Sequence, residues 1–245
     1  MTISPIFADI YELDLNGNPN IQAFVDAGLP WAGIGLKATE GTYYPRKPDW
    51  FQKHYPLVKN LAGARWGQTF FRWTYHYFRV NEDGAKQADF YMGLVESCGG
   101  FDIGDLRPVV DVESSEQPAH ASPQQVIDGV SAFAARIKSR HGQAPILYGG
   151  SYIRDLGITD HMGCAYLITA DYNSTLPPHI YTAMGWPLDK LLMWQYRGNL
   201  PSGPAGYPRT CPLGPGFVDL SAVTIANGST PEQQLEWLRN DIQSA

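Results

Sequence analysis

The sequence has few cysteines, no long apolar run and no excess of basic residues, and each absence excludes a class of protein. Its three cysteines, Cys98, Cys164 and Cys211, lie far apart and form neither a CxxC motif nor a metal-ligand spacing. At most one disulfide is possible, and three free thiols are the simpler interpretation. No segment approaches the ~20 apolar residues that a membrane span needs. The formal net charge of −6 argues against a nucleic-acid-binding surface.

The first residues also lack the features of a secretory signal. Met1-Thr2-Ile3-Ser4 has no basic start, and no long apolar segment follows it. We therefore expect synthesis in a cytoplasm, with any release by another route. We expect no cofactor, and a monomer that binds neither nucleic acid nor membrane.

The abundant residues are apolar and aromatic. Apolar residues make up 44% of the 245 residues and charged residues only 17%, which indicates a folded chain with a sizeable core. The 14 tyrosines and 7 tryptophans suit a groove for flat-faced ligands such as sugars or bases, although core packing explains aromatic residues more often. The length fits one large domain or two small ones.

Short apolar segments alternate with helical patterns as far as Ala170. Two capping boxes with proline at the first helical position, Ser122–Gln125 and Thr230–Gln233, mark helix starts. Residues 171–218 contain 8 prolines and 6 glycines, too many for two further full helices. The predicted strands are 5–10, 31–38, 68–78, 106–113, 144–148, 165–170, 191–196 and 216–220.

Five β-α units followed by three strands predict an α/β fold with parallel strands and right-handed crossovers. Eight such strands can close into a TIM-like barrel. A doubly wound open sheet is the alternative, but no glycine-rich phosphate motif follows the first strand. No linker divides the chain, so we predict a single domain. The barrel would span residues 1–226, and residues 227–245 would form a C-terminal helix packed on it.

Two carboxylates end the fourth predicted strand. Asp111 and Glu113 are two positions apart, so in a strand they point to the same face. Like charges side by side repel, and the arrangement adds no stability by itself. General acid/base chemistry, however, needs one carboxyl that is protonated beside one that is ionised. The alternative is an exposed strand end that carries two solvated acids.

Further acids lie at the ends of other predicted strands: Asp9 at the end of the first, Glu40 just after the second and Asp219 in the eighth. A closed barrel places the eighth strand beside the first, so we expect Asp9 and Asp219 to be neighbours. Binding of a hard cation or simple helix capping could also explain such acids. No His/Cys cluster indicates a transition metal, and we expect no metal site.

Aromatic residues end the same strands. Each one alone is more typical of a core, but together they resemble the stacking walls of a glycan cleft. The residues concerned are Tyr75, Tyr77, Tyr148, Tyr172, Trp194 and Tyr196.

Taken in order, these motifs resemble glycoside hydrolase family 25, the Chalaropsis-type lysozymes or N-acetylmuramidases common among bacteriophage endolysins. The resemblance covers about Ile6 to Val223 and is strong because several motifs occur in the family's order. The matching segments are Phe-Ala-Asp9-Ile, Lys37-Ala-Thr-Glu40-Gly, Tyr75-His76-Tyr77-Phe78, Pro108-Val-Val-Asp111-Val-Glu113, Leu147-Tyr148-Gly-Gly, Ile168-Thr-Ala-Asp-Tyr172, Met193-Trp194-Gln195-Tyr196 and Val218-Asp219-Leu220.

The resemblance implies a (β/α)₅β₃ barrel that hydrolyses the bond from N-acetylmuramic acid to N-acetylglucosamine in peptidoglycan, with retention. Carried over by position, Glu113 is the general acid/base. Asp111 and Asp9 are its electrostatic partners, and Asp219 is an orienting or stabilising carboxylate. Glu40 and the six aromatic residues above are expected to bind substrate.

The sequence departs from the family after Asp9. The family usually has Asp-Val-Ser with a Gln-Gly a few residues on, whereas Asp9 is followed here by Ile10-Tyr11-Glu12-Leu13-Asp14. This difference affects glycan preference more than the chemistry. We expect a short C-terminal helix after the barrel and no cell-wall-binding repeat.

Two other functions remain open at the level of sequence. One is a barrel that binds glycan without cutting it. The other is a chitinase-like glycosidase, which would carry an Asp-x-x-Asp-x-Asp-x-Glu run. Here Arg107 and Pro108 precede the Asp-x-Glu element, which disfavours it.

Overall fold

Eight strands close into one barrel in a computed structural model that describes residues 3–43, 48–114, 117, 121–172, 180–198, 206–216, 218–224 and 229–242. Neighbours in the barrel are neighbours in the sequence, from β1 round to β8. The strands are β1 (Ile6–Ile10), β2 (Trp31–Glu40), β3 (Phe71–Tyr77), β4 (Val109–Val112), β5 (Ile146–Gly149), β6 (Tyr166–Ala170), β7 (Leu191–Arg197) and β8 (Asp219–Val223).

Helices follow the early strands and surround the barrel, so the predicted single-domain α/β barrel is confirmed. The segments between β6 and β8 contain only short helical turns among the described residues, as the proline and glycine content predicted. The helices are α1 (Ile21–Asp26), α2 (Pro48–Ala62), α3 (Gly84–Ser97), α4 (Pro123–His141), α5 (Ser151–Asp155), α6 (Ile180–Ala183) and α7 (Pro231–Trp237).

Both predicted capping boxes are present. Ser122 accepts from the Gln125 backbone N–H while the Gln125 side chain accepts from the Ser122 backbone N–H, and Thr230 and Gln233 do the same. These reciprocal bonds satisfy N–H groups that the first helical turn leaves without partners. They explain why the starts of α4 and α7 were readable from the sequence.

The direction of β8 corrects the prediction of parallel strands throughout. Strands β1 to β7 pair in parallel, but β8 is antiparallel to both β7 and β1. The strand also lies at Asp219–Val223 rather than at 216–220. Asp219 is therefore its first residue, and it still pairs with Asp9 as predicted.

The interior of the barrel is closed below its mouth by two stacked rings. Phe7 and Trp73 lie 5.3 Å apart between ring centroids, with their planes inclined by only 5°. β2 makes room for them with glycine, since a Cβ on Gly33 would lie 2.0 Å from the Phe7 ring and one on Gly35 would lie 1.8 Å from Trp73. The rings form an apolar floor.

The other end of the barrel is covered by α7 and the π-helical turn Leu238–Ile242 that continues it. Leu235, Leu238 and Ile242 belong to the same buried cluster as the interior residues of the barrel. The Gln234 side chain donates to the Val223 carbonyl at 3.1 Å, which ties α7 to the end of β8. The boundary at residue 226 between barrel and C-terminal helix stays a prediction.

Two further findings concern membrane-spanning helices and the cysteines of the described residues. No helix among the described residues is long and apolar enough to cross a membrane. Cys98, Cys164 and Cys211 are free thiols.

Candidate active site

A cavity of about 330 Å³ opens at the mouth of the barrel, above the floor of stacked rings. We call it the mouth pocket. Among the described residues its walls are acidic and aromatic, and they come from β1, β2, β3, β4, β5, β6 and β8. The lining residues are Asp9, Tyr11, Lys37, Glu40, Trp73, Tyr75, Tyr77, Val109, Asp111, Glu113, Tyr148, Ile168 and Asp219.

The structure brings all four predicted catalytic carboxylates to this pocket. Asp111 lies on β4, and Glu113 follows the end of that strand, so their alternation places both on the inner side. Asp9 on β1 and Asp219 on β8 face each other across an antiparallel pair. Asp111 is 6% exposed, and its Oδ1 atom has no hydrogen-bond partner among the described residues.

Burial makes these carboxyls hold their protons more tightly than free acids. Burial, then the charge of Asp219, raises the pKa of Asp9 well above its usual range, and burial, then Glu113, does the same to the pKa of Asp111. Burial raises the pKa of Asp219 to about 7. The pKa of Glu113 is also raised by burial, against the opposing effects of Tyr148 and Lys37. The set is therefore only partly ionised at neutral pH.

A second cavity of about 360 Å³, the side groove, meets the mouth pocket at Glu113. Among the described residues it is lined from β4 round to α6. Tyr172, which is 48% exposed, stands on its wall. The other lining residues are Val112, Glu113, Ser114, Gly150, Ser151, Tyr152, Arg154, Ala170, Asp171 and Ile180.

Glu40 lines the mouth pocket within a charged network. Its carboxylate accepts from Lys37 Nζ at 2.6 Å and from Arg79, and Tyr43 donates to it at 3.1 Å. Burial alone would raise the pKa of Glu40, but Lys37 and Arg79 outweigh burial and lower it. Glu40 is therefore an ionised partner for these two cations.

Four of the six aromatic residues predicted to bind substrate line one of the two cavities. Tyr75, Tyr77 and Tyr148 line the mouth pocket, and Tyr172 lines the side groove. The structure does not bring Trp194 and Tyr196 to either cavity, which corrects their prediction as substrate-binding residues.

Trp194 and Tyr196 are fully buried on the outer face of β7. Trp194 packs against Tyr196 and Tyr207, and its Nε1 donates to the Asp171 carbonyl at 2.5 Å. The Tyr196 hydroxyl donates to the Pro208 carbonyl at 3.3 Å. Alternation along β7 gives the inner face to Gln195 instead, a residue that the sequence analysis did not single out.

The loop that departs from the family motif adds one more acid near the site. Asp14 accepts the Tyr11 backbone N–H at 3.0 Å, and burial raises the pKa of Asp14 to about 6. Its charge acts on both Asp9 and Asp219 by raising their pKa. No group of three His, Cys, Asp or Glu residues in the described ranges has the arrangement of a metal site. Metal independence stays a prediction.

An acidic, aromatic cleft at the mouth of a closed α/β barrel is typical of glycoside hydrolases, and the comparisons identify the family. The sequence profile of glycosyl hydrolases family 25 matches residues 8–202. The chain belongs to glycosyl hydrolases family 25. A comparison with curated protein sequences gave no match.

Solved structures support the fold. A bacterial lysozyme from Streptomyces coelicolor superposes with a TM-score of 0.72 at 22% identity, covering 98% of this chain and 99% of that one. A muramidase from Trichobolus zukalii has a TM-score of 0.67 at 22% identity, covering 94% and 97%. A family GH25 lysozyme from Aspergillus fumigatus has a TM-score of 0.66 at 22% identity, covering 96% and 98%.

Proposed function

We propose that this protein is a peptidoglycan hydrolase that cleaves the β-1,4 bond between N-acetylmuramic acid and N-acetylglucosamine. The observation that carries the proposal is the position of Glu113 where the mouth pocket meets the side groove. A carboxyl at this junction can reach the oxygen that links a sugar in one cavity to a sugar in the other. The chain's membership in family 25 and the lysozymes among its structural neighbours support the same substrate class.

In the first step Glu113 is the general acid. Burial raises its pKa and so favours the protonated form relative to a free glutamate, and this proton moves to the glycosidic oxygen as the bond to C1 breaks. The leaving sugar departs with a hydroxyl group. Positive charge develops at C1 of the other sugar, and the surrounding carboxylates stabilise it.

The nucleophile in this step is the substrate's own 2-acetamido group, whose oxygen bonds to C1 from the opposite face. Asp111 is suited to assist, because its buried Oδ1 has no partner among the described residues and is available to accept the acetamido N–H. An acceptor at this nitrogen stabilises the positive charge on the cyclic intermediate.

In the second step Glu113, now a carboxylate, removes a proton from water as the water oxygen attacks C1 and the bond to the acetamido oxygen breaks. Two inversions at C1 give net retention. The spacing of Asp111 and Glu113 does not decide this by itself, since two strand residues span ~6.5 Å, near the boundary between the retaining separation of ~5–5.5 Å and the inverting separation of ~6.5–9.5 Å. NMR detection of the inverted anomer as first product would exclude this mechanism.

The floor and walls of the mouth pocket suit a sugar ring. Trp73 lies below the carboxylates, with Tyr75, Tyr77 and Tyr148 around them, and aromatic faces bind the apolar faces of sugars. We further propose that Tyr172 contacts a sugar in the side groove, since its ring is half exposed there.

Digestion of purified peptidoglycan and of chitin tests the proposal. We expect muropeptides with a reducing N-acetylmuramic acid end from peptidoglycan, identified by mass spectrometry after borohydride reduction, and little product from chitin. Release of chitin oligosaccharides at a comparable rate would favour the chitinase-like alternative. Binding to peptidoglycan without new reducing ends would favour a non-catalytic barrel.

We propose further that the protein acts as a monomer on the bacterial wall after release from the cytoplasm in which it is made. The mouth pocket supports the monomer, since one chain supplies all four carboxylates proposed for catalysis. Light scattering of the active protein at working concentration tests it, and a stable dimer would contradict it.

A further inference from the structure

Gln195 lies at the centre of a hydrogen-bond network on the inner face of β7. It is 1% exposed. Its Nε2 donates to Asp9 Oδ2 at 3.2 Å. Its Oε1 accepts the Tyr148 hydroxyl at 2.7 Å and the Tyr172 hydroxyl at 2.8 Å. An amide nitrogen only donates and an amide oxygen only accepts, and in the structure the nitrogen faces Asp9 while the oxygen accepts from the two hydroxyls.

The Tyr148 hydroxyl has several acceptors within reach, the Tyr172 hydroxyl among them, but only one proton. Besides Gln195 Oε1 at 2.7 Å, Glu113 Oε1 lies at 3.4 Å from the same hydroxyl. The shorter and stronger bond runs to Gln195, since hydrogen bonds weaken toward the 3.4 Å distance. A hydrogen bond donated to the charged form of an acid favours ionisation. Diverting the Tyr148 proton therefore favours the protonated form of Glu113.

We propose that Gln195 is a positioning residue for the acid: it accepts the shorter hydrogen bond from the Tyr148 hydroxyl and so limits how strongly Tyr148 stabilises the Glu113 carboxylate. The inference rests on the proposed role of Glu113. Several other charged or titratable groups face the two cavities around Glu113, and a valid test must separate their effects from that of Gln195. They are Asp9, Asp111, Asp219, Lys37, Glu40, Tyr11, Tyr75, Tyr77, Tyr172, Asp171, Arg154 and Tyr152.

The test is a direct titration of the Glu113 side chain by ¹³C NMR, assigned by comparison with Glu113→Gln. It does not depend on turnover, so its outcome is distinguishable from a failure of the proposed function, which digestion of peptidoglycan by the wild type reports separately. In Gln195→Met the amide acceptor is gone and Tyr148 donates to Glu113. We expect the Glu113 titration to move to lower pH.

Tyr148→Phe is the matched variant, because it removes the proton that Gln195 and Glu113 share. In Tyr148→Phe the pH midpoint of the Glu113 titration should not fall below the midpoint in the wild type. The double variant Gln195→Met/Tyr148→Phe should behave like Tyr148→Phe alone. If the midpoint of the Glu113 titration is still lowered in the double variant, Gln195 acts through Asp9 instead, and this would overturn the proposal.

The pH profile of kcat/KM gives a second readout on an active preparation. For Gln195→Met we expect the alkaline limb of the profile to move to lower pH. If this limb moves by one pH unit, the loss of kcat/KM is roughly tenfold greater on the alkaline side of the profile than on the acidic side. An unchanged or upward-shifted Glu113 titration in Gln195→Met would refute the proposal. Thermal unfolding checks that each variant is folded, and Gln195→Leu replaces Gln195→Met if the latter is not.

Discussion

Replacement of the proposed acid separates its chemical role from its structural one. Glu113→Gln keeps the shape of the side chain and removes the proton that the mechanism transfers. General acid/base catalysis contributes about 10²–10⁴-fold to rate. We therefore expect turnover on peptidoglycan to fall by about 10²–10⁴-fold, which corresponds to about 3–5 kcal/mol of activation free energy.

The same substitution should not destabilise the fold. Burial raises the pKa of Glu113 above its usual 4.5, so the folded state favours the protonated form. The stability associated with this group is complete below pH 4.5 and is lost as the pH rises through the raised pKa. The amide that replaces the carboxyl in Glu113→Gln carries no charge at any pH. We expect this variant to melt at an equal or slightly higher temperature than the wild type at neutral pH, with the difference vanishing at about pH 4.

Both effects are measurable on the same preparations, by reducing-end release from purified peptidoglycan and by calorimetry. Glu96→Gln is the control, since Glu96 is an exposed carboxylate on α3 that pairs with Arg140 far from the pocket residues. An exposed pair contributes at most about 1 kcal/mol, and turnover should not change. If Glu113→Gln kept near wild-type rates while Asp111→Asn was inactive, the role of the acid would have to be reassigned.

Three further predictions concern the rest of the site and its support. Stability of the wild type should decline as the pH rises from about 4 through about 7, because burial raises the pKa of Asp219 to about 7, and Asp219→Asn should flatten this decline in calorimetric scans. Activity should survive dialysis against EDTA, and a loss that a divalent ion restores would contradict metal independence. Gly35→Ala should cost about 1–3 kcal/mol in urea unfolding, since its Cβ would meet Trp73 at 1.8 Å, whereas Gly93→Ala on α3, with nothing within 4 Å, should be neutral or stabilising.

Most of the barrel was predictable because its signals are local. The capping boxes at Ser122 and Thr230 mark helix starts through bonds that span three residues. Tyr75 and Tyr77 are two positions apart in β3 and so share a face, and both line the mouth pocket. The pairing of Asp9 with Asp219 followed from closure of the barrel and not from the direction of β8.

The direction of β8 was not predictable in the same way, because a short strand carries no local mark of its orientation. The indirect signal was the proline- and glycine-rich sequence between β7 and β8, which does not predict a full helix, since only a parallel pair requires a long crossover. The two misplaced aromatics on β7 have a related cause. Trp194 and Tyr196 suit either face of a strand, whereas a polar residue between two buried aromatic rings, as Gln195 is, indicates which face turns inward.

The reversal of β8 has a consequence for how this enzyme could be re-engineered. β7 runs toward the mouth and β8 runs away from it, so the connection between Arg197 and Asp219 leaves and re-enters the barrel on the side of the active site. In an all-parallel barrel the same length of chain would return along the outside to the opposite end. A grafted or lengthened β7–β8 connection could therefore change which glycans are accepted while every interstrand pairing stays as it is.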